Sequence, residues 1–408
     1  MYNQGDLSMN VMEINACNFG STGNIMLQIA DAARRAGHSV VTVCPDSRDN
    51  RRRQAEDQLL MGSRLSRNFH LAWATLTGRE GMLSRQATAA LIRQMKARDV
   101  TLLHLHNLHG WYINLPMLFR YVKRNNIRVI WTLHDCWSFT GHCPHFDMID
   151  CEKWTQGCSG CPQYKDYPRS LVDNSAYIYN KKKEIFTGVR DLTVVTPSEW
   201  LAGLVRRSFL GEYPVRVINN GIDLSVFKPT DSDFRAKYGL ESKKIVLGVA
   251  FDWGRRKGLD VMCDLARRLP DDYRVVLVGT NDDVDSQLPE GVVSIHRTHD
   301  REELAEIYTA ADVLANPTRE DNFPTVNLEA LACGTPVVTF RTGGSPECVD
   351  ESCGLVVDKN DTDGLLRAVC SACETDKFSK EACLNRASQF DKDDKFEQYV
   401  QLYEKGEK

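Results

Sequence analysis

The sequence predicts an α/β protein of two doubly wound domains, each a parallel sheet covered by helices on both faces. Three observations carry this prediction. The chain has 408 residues, too many for one ordinary core and suited to two domains of roughly 200 residues each. Short β-branched runs alternate with helical patterns along almost its whole length, the order that parallel sheets require. The alternation pauses between Pro214 and Pro229 and starts again after Asp231, so there are two series rather than one.

In the first series Val11–Cys17 reads as a strand, Asn24–Ala36 as an amphipathic helix stopped by Gly37, and Ser39–Cys44 as the next strand. Val100–Leu105, Arg128–Leu133 and Leu192–Thr196 continue it. The second series runs through Lys244–Ala250, Tyr273–Gly279, Val292–His296, Asp312–Asn316, Thr335–Phe340 and Gly354–Asp358. Phe396, Tyr399, Val400 and Tyr403 have helical spacing, so the last stretch is expected to form a helix crossing back to the first domain. The expected division is therefore 1–213, 214–385 and a crossover at 386–408. Open sheets of this kind bind ligands beyond the carboxyl ends of their strands, where two such domains would face a cleft.

Composition narrows the functional classes. With 42% hydrophobic and 26% charged residues the chain is of the soluble globular type, and a formal charge of −4 gives no reason to expect nucleic-acid binding. The most apolar stretch, Val100–Val122, is interrupted by histidines and asparagines and cannot span a bilayer. The opening Met1–Ser8 is polar rather than signal-like, so the expected location is the cytoplasm. The Arg48–Arg98 region carries eleven Lys/Arg against four Asp/Glu. That local excess reads either as a charged helical surface or as peripheral docking on anionic lipid at the inner membrane face.

The most informative passage is Thr318-Arg-Glu-Asp-Asn-Phe-Pro-Thr-Val-Asn-Leu-Glu329, a strand-end loop running into a helix that stops at Gly334. Such a loop points several backbone N–H groups at one spot, which suits a diphosphate. Asp321 and Glu329 bracket the helix start, and carboxylates accept hydrogen bonds from sugar and ribose hydroxyls. Phe251-Asp-Trp-Gly-Arg-Arg-Lys-Gly258 follows the first strand of the second series, where Lys257 with Arg255 or Arg256 can meet phosphate. Phe19-Gly-Ser-Thr-Gly23 sits between the first strand and first helix, with Asn24 as the expected cap. It lacks the third glycine of the dinucleotide fingerprint.

These passages resemble glycosyltransferase family 4, retaining enzymes of the GT-B fold with two Rossmann-like domains, and in particular its bacterial surface-polysaccharide members. The family carries two acidic residues separated by seven. Asp321 matches the first, normally Glu, and Glu329 the second. The resemblance implies that Glu329 holds the donor ribose, while Asp321 with Asn322, Phe323, Pro324 and Thr325 meets the sugar. Lys257 and Arg256 would clamp phosphate, and Gly20 would close over it. Gly343-Gly344 with Glu347 resembles a turn near the diphosphate, and Asn219-Asn-Gly-Ile-Asp223 an interdomain segment. Thr132-Leu-His-Asp135 ends a strand, and His134 matches the family's histidine beside the donor sugar.

Leu103-His-Leu-His-Asn-Leu-His-Gly-Trp111 places His104, His106 and His109 at a strand end. With no carboxylate partner expected nearby they read as cleft-lining rather than metal ligands, and His106, His109 and Gly23 are assigned to the acceptor. The implied reaction is transfer from a UDP- or GDP-linked sugar to a glycan or polyprenyl-diphosphate-linked acceptor, with retention and front-face attack assisted by the leaving diphosphate. Catalysis would rest on positioning and charge neutralisation, without a catalytic metal. The Asp283-Val-Asp285 pair is the kind that arises by chance among 55 acidic residues. Two other readings fit the same fold: a sugar-nucleotide epimerase or phosphorylase, and a non-catalytic binding scaffold.

Of fourteen cysteines, most are scattered singly and read as small buried hydrophobes. Cys143, Cys151, Cys158 and Cys161 cluster in an insertion at 141–168. Four thiolates with a Cys-x2-Cys knuckle can hold a structural zinc; unliganded thiols and disulfides are the alternatives.

Overall fold

The computed structural model describes residues 8–55, 57–374 and 377–405. Of the polar opening Met1–Ser8, only Ser8 lies within them. The chain forms two compact units. One runs up to Ile218 and takes in the chain from Phe396 onward; the other is Asn219–Lys395.

The first unit holds seven strands: β1 (Asn10–Ile14), β2 (Ser39–Pro45), β3 (Gln58–Met61), β4 (Leu102–Leu105), β5 (Arg128–Thr132), β6 (Leu192–Thr196) and β7 (Val215–Val217). Their order is β3-β2-β1-β4-β5-β6-β7, every pair parallel. The second holds β8 (Lys244–Val249), β9 (Tyr273–Val278), β10 (Val293–Ile295), β11 (Val313–Asn316), β12 (Val337–Phe340) and β13 (Gly354–Val357). These are ordered β10-β9-β8-β11-β12-β13, again all parallel. Each sheet therefore reverses direction once, between β1 and β4 and between β8 and β11. The crevice at each reversal is where ligands of such sheets bind.

Both faces of the first sheet are covered, as the alternation of side chains on a strand requires. Met12, Ile14, Leu103 and Leu105 enter one core; Val11, Leu102 and Ile130 enter another, shared with Phe396, Tyr399, Val400 and Tyr403. That second face is where the C-terminal helix Lys392–Lys405 docks, and the guanidinium of Arg128 ties it down by donating to the carbonyl of Leu402 at 2.5 Å and to that of Tyr403.

Several expectations need correction. The first unit extends to Ile218, not 213, because Val215–Val217 pairs with β6 instead of opening the second sheet. Two strands had no clear sequence signal: β3 begins on Gln58, and β7 has three residues, both at sheet edges where burial writes little pattern. The crossover starts later than 386, since Lys380–Ser388 is a separate helix of the second unit. The first helix begins at Gly20, so Asn24 lies inside it and Phe19 occupies the cap position.

Candidate functional site

Each unit carries part of the expected site at its own strand-order reversal. In the second unit, the loop after β8 turns through Arg255–Lys257 into helix Leu259–Arg268, and the loop after β11 leads into helix Thr325–Ala332. The two loops touch through their backbones. Gly258 has φ +79°, and a Cβ there would run into the carbonyl oxygen of Pro317. Gly343, at φ +55°, lies as close to the carbonyl of Asp321, which also accepts from the Gly344 N–H at 3.2 Å. Glycine is required at both positions by the conformation and by the approach.

This arrangement brings Lys257 and Asp321 together in a short ion pair, with both side chains about four-fifths buried. Asp321 also accepts from the Phe323 N–H at 3.3 Å. Glu320, next to it in sequence, is buried. Glu329 accepts from the hydroxyl of Tyr308 at 3.0 Å, and burial pushes its carboxyl up from the ordinary value while that hydrogen bond pulls the other way. Asn322 is buried, and the Phe323 side chain belongs to the hydrophobic core, leaving its backbone as the part that can meet a ligand. Pro324 stands at the cap of the helix that Thr325 begins.

Arg256 contributes its carbonyl, which accepts from the Arg319 N–H at 2.8 Å. Arg319 is the residue sequence reasoning missed. Its buried guanidinium grips Asp260 with two bonds of 2.7 and 2.8 Å, Asn360 at 2.7 Å and the carbonyl of Arg255 at 2.6 Å. It fixes the basic turn from behind, and only its place in the Thr318–Glu329 run hinted at it. Asp223 of the expected interdomain segment has a structural partner, Lys392 at 2.6 Å.

In the first unit the histidines form a connected group. His104 sits fully buried with both nitrogens used, Nδ1 with the Tyr403 hydroxyl at 2.6 Å and Nε2 with Thr132 at 2.8 Å. His106 is also buried. Its Nδ1 meets Nε2 of His134 at 3.0 Å, and the two rings stack with centroids 5.3 Å apart and 9° between planes. The expectation that no carboxylate stands near these histidines is wrong. Glu13 on β1 pairs in register with His104, and its Oε2 lies 3.6 Å from His106 Nε2. Asp135 lies 2.8 Å from His109 Nε2, while His109 Nδ1 meets the Tyr167 hydroxyl at 2.9 Å.

Electrostatics follow from this burial. Desolvation raises Glu13 to about 8, against the pull of the Tyr403 hydrogen bond, and lowers His106 and His134 to about 3. His109 goes the other way: burial opposes its charge, but the Asp135 carboxylate overrules it. Burial likewise opposes the Asp135 charge, yet His109 and the Trp137 N–H bring that carboxyl down to about 2. His106, His109, His134 and Asp135 line one small pocket. His106 is fully buried behind its stacked neighbour, so its influence on a ligand would pass through His134.

Gly23 is accounted for by packing, since a Cβ there would lie 2.6 Å from the Asn18 carbonyl carbon. Gly20, at φ +68°, begins the helix, and a Cβ there would meet nothing within 4 Å. Among the described residues, three potential metal ligands come within 4.8 Å of one another at Glu13/His104/His106 and at Asp282/Asp285/His296. In the first, His104 is committed to hydrogen bonds through both nitrogens, and the second is largely exposed. The clustered cysteines are not among these groups. They surround one small pocket, where Cys143 and Cys161 are hydrogen-bonded and Cys158 Sγ accepts the Gly141 N–H at 3.2 Å. All fourteen cysteines are free thiols.

Comparison with known proteins agrees with this geometry. Residues 22–226 match the family model described as Glycosyltransferase Family 4, and residues 243–375 match Glycosyl transferases group 1. A putative colanic acid biosynthesis glycosyl transferase, WcaC of Escherichia coli, is 27% identical over 65% of this chain and 66% of its own length. A D-inositol 3-phosphate glycosyltransferase of Mycobacteroides abscessus is 32% identical over 38% of each chain. The chain thus spans less than two thirds of the length of these curated relatives. In fold it is similar to sucrose-phosphate synthase of Thermosynechococcus elongatus, with TM-score 0.71 and 18% identity over 97% of this chain and 98% of that one. HepE of Anabaena, solved in complex with UDP, gives 0.68 and 16% over 97% and 99%. With the first of the two family models covering residues 22–226 of 408, the chain belongs to glycosyltransferase family 4.

Proposed function

We propose that the chain transfers a sugar from a nucleoside diphosphate sugar to a glycan or lipid-linked glycan acceptor, with retention of anomeric configuration, in the assembly of a surface polysaccharide. The observation that carries this reading is the Lys257–Asp321 ion pair at the reversal between β8 and β11, beside the N-terminus of helix Thr325–Ala332. Without a ligand each charge satisfies the other. An arriving diphosphate offers Lys257 a stronger partner, and Asp321 is released to accept from a sugar hydroxyl. Lys257 and the helix N-terminus then neutralise the charge that builds on the leaving diphosphate, the stage at which such stabilisation counts.

In this reading Glu329, bonded by Tyr308, accepts from the ribose hydroxyls, and His134, stacked on His106, meets the donor sugar. The relatives support a nucleotide sugar as donor: HepE has been solved with UDP-glucose, which makes UDP-sugars the first to try and GDP-sugars the second. The cysteine insertion holds one structural zinc in this reading, with no part in the transfer. The test is release of nucleoside diphosphate that depends on both donor and acceptor, followed by determination of the product's anomeric configuration by NMR. Donor hydrolysis indifferent to every glycan acceptor, or an inverted product, overturns the reading.

A further inference from the structure

Two buried polar atoms in the first unit are left to each other. Oε2 of Glu13 and Nε2 of His106 lie 3.6 Å apart, and among the described residues neither has a hydrogen-bond partner. Groups orphaned at this depth are costly, and one proton placed between them satisfies both. A movement of a few tenths of an ångström brings them to bonding distance.

The groups around them are committed elsewhere. Glu13 Oε1 accepts from the Tyr403 hydroxyl at 3.1 Å. His104 bonds Tyr403 through Nδ1 at 2.6 Å and Thr132 through Nε2 at 2.8 Å. From the first helix Arg34 favours the Glu13 charge and Asp31 opposes it, and Tyr399 adjoins from the C-terminal helix. Because burial raises Glu13 to about 8, its carboxyl is a donor at neutral pH. With Oε1 accepting, the proton stands on Oε2. Burial also keeps His106 and His134 neutral, so each ring has one N–H and one lone pair.

These constraints order the protons along a line. Glu13 is on β1, His106 follows β4 and His134 follows β5, three neighbouring strands. Glu13 donates to His106 Nε2, so the His106 proton stands on Nδ1. That N–H donates to His134 Nε2 across 3.0 Å, so the His134 proton stands on Nδ1. Ionisation reverses both bonds. The Glu13 proton passes to His106 Nε2, the His106 Nδ1 proton passes to His134 Nε2, and the His134 Nδ1 proton leaves to solvent. One proton is lost, both rings stay neutral, and Glu13 becomes the anion.

We infer that Glu13 is a positioning residue which, through His106, sets the nitrogen of His134 that carries the proton. With Glu13 protonated, His134 donates from Nδ1, the form that suits a sugar oxygen or the oxygens of a departing diphosphate. The effect on rate rests on the place proposed for His134 at the donor sugar; the tautomer itself does not.

The full chain labelled with ¹⁵N-histidine reports the tautomers by NMR, the His134 signals being identified by their loss in His134→Gln. In the wild type the His134 proton is expected on Nδ1 near pH 6 and on Nε2 above pH 9. In Glu13→Gln the amide gives Tyr403 an acceptor and His106 an N–H at every pH, so Nδ1 stays protonated throughout. Turnover per folded molecule should fall about tenfold for each pH unit above about 8 in the wild type, and Glu13→Gln should lose this alkaline limb.

A wild-type His134 proton on the same nitrogen at both pH values overturns the inference, whether or not Glu13→Gln folds. A reversal that also occurs in Glu13→Gln overturns it too, since Glu13 would not be its cause. A reversal confined to the wild type, with turnover level or falling equally in both proteins, upholds the relay and counts against the place of His134 at the donor sugar.

Discussion

Glu13→Gln should make the protein more stable at pH 8 while changing little at pH 5. Glu13 is buried beneath the C-terminal helix, its Oε1 accepting from the Tyr403 hydroxyl at 3.1 Å. Its Oε2 and the Nε2 of His106 are both buried without a hydrogen-bond partner, 3.6 Å apart. Desolvation raises its pKa from 4.5 to about 8. The folded state thus holds this proton more tightly than the unfolded state, which between those two values has already released it. By linkage, stability falls as pH rises from about 4.5 to about 8 and then levels off. The window is more than three units wide, and each is worth about 1.4 kcal/mol, so the loss reaches a few kcal/mol. A glutamine keeps the acceptor for Tyr403, offers His106 an N–H, and has no charge to bury. Thermal unfolding of wild type and variant should therefore coincide near pH 5 and diverge by roughly 5–10 °C in favour of the variant at pH 8. Comparing the two proteins at each pH cancels every other titrating group. A difference that does not change with pH, or a wild type that is the more stable at pH 8, refutes the argument.

The donor half offers a second test: Lys257→Ala should lower turnover by about 10²–10³-fold, the cost of losing one preorganised charge at a leaving group, with the melting temperature nearly kept. Full turnover in that variant removes Lys257 from the site. Glu329→Ala should weaken nucleotide binding more than turnover, measured by titration of the nucleoside diphosphate; unchanged affinity would return Glu329 to a structural role with Tyr308. For His134→Ala, a positioning role predicts a rate loss of roughly 10²–10⁴-fold per folded molecule. A lowered melting temperature with normal turnover would show the ring to be only a stacking partner of His106. Elemental analysis of protein purified without added metal should find about one zinc per chain, lost when Cys158 and Cys161 are both changed to Ser, since a tetrathiolate site needs all its sulfurs; metal-free protein with an intact fold leaves the four cysteines as plain thiols.

The sequence by itself determined the two series of parallel strands and most of the residues at their ends. A strand buried on both faces must be a short apolar run, and the loop that follows it must supply glycines and polar groups. Runs such as Leu192–Thr196 and the Thr318–Glu329 loop could therefore be found without any alternation of apolar and polar residues. The resemblance to the family's acidic pair selects Asp321 over Glu320, and the structure pairs Asp321 with Lys257 across 64 positions. Edge strands such as Gln58–Met61 escaped because few of their residues are forced to be apolar. What only the tertiary structure decided is who stands beside whom. Glu13 and His106 are distant in sequence and become neighbours because β1 and β4 pair in parallel at the sheet reversal, under Tyr403 from the far end of the chain. Arg319 shows its role only when the loops after β8 and β11 meet. Helix Arg64–Thr77 turns Leu65, Phe69 and Leu76 outward, which the sequence does not decide. A period fixes which residues share a face, but not whether that face turns toward a core or away from it.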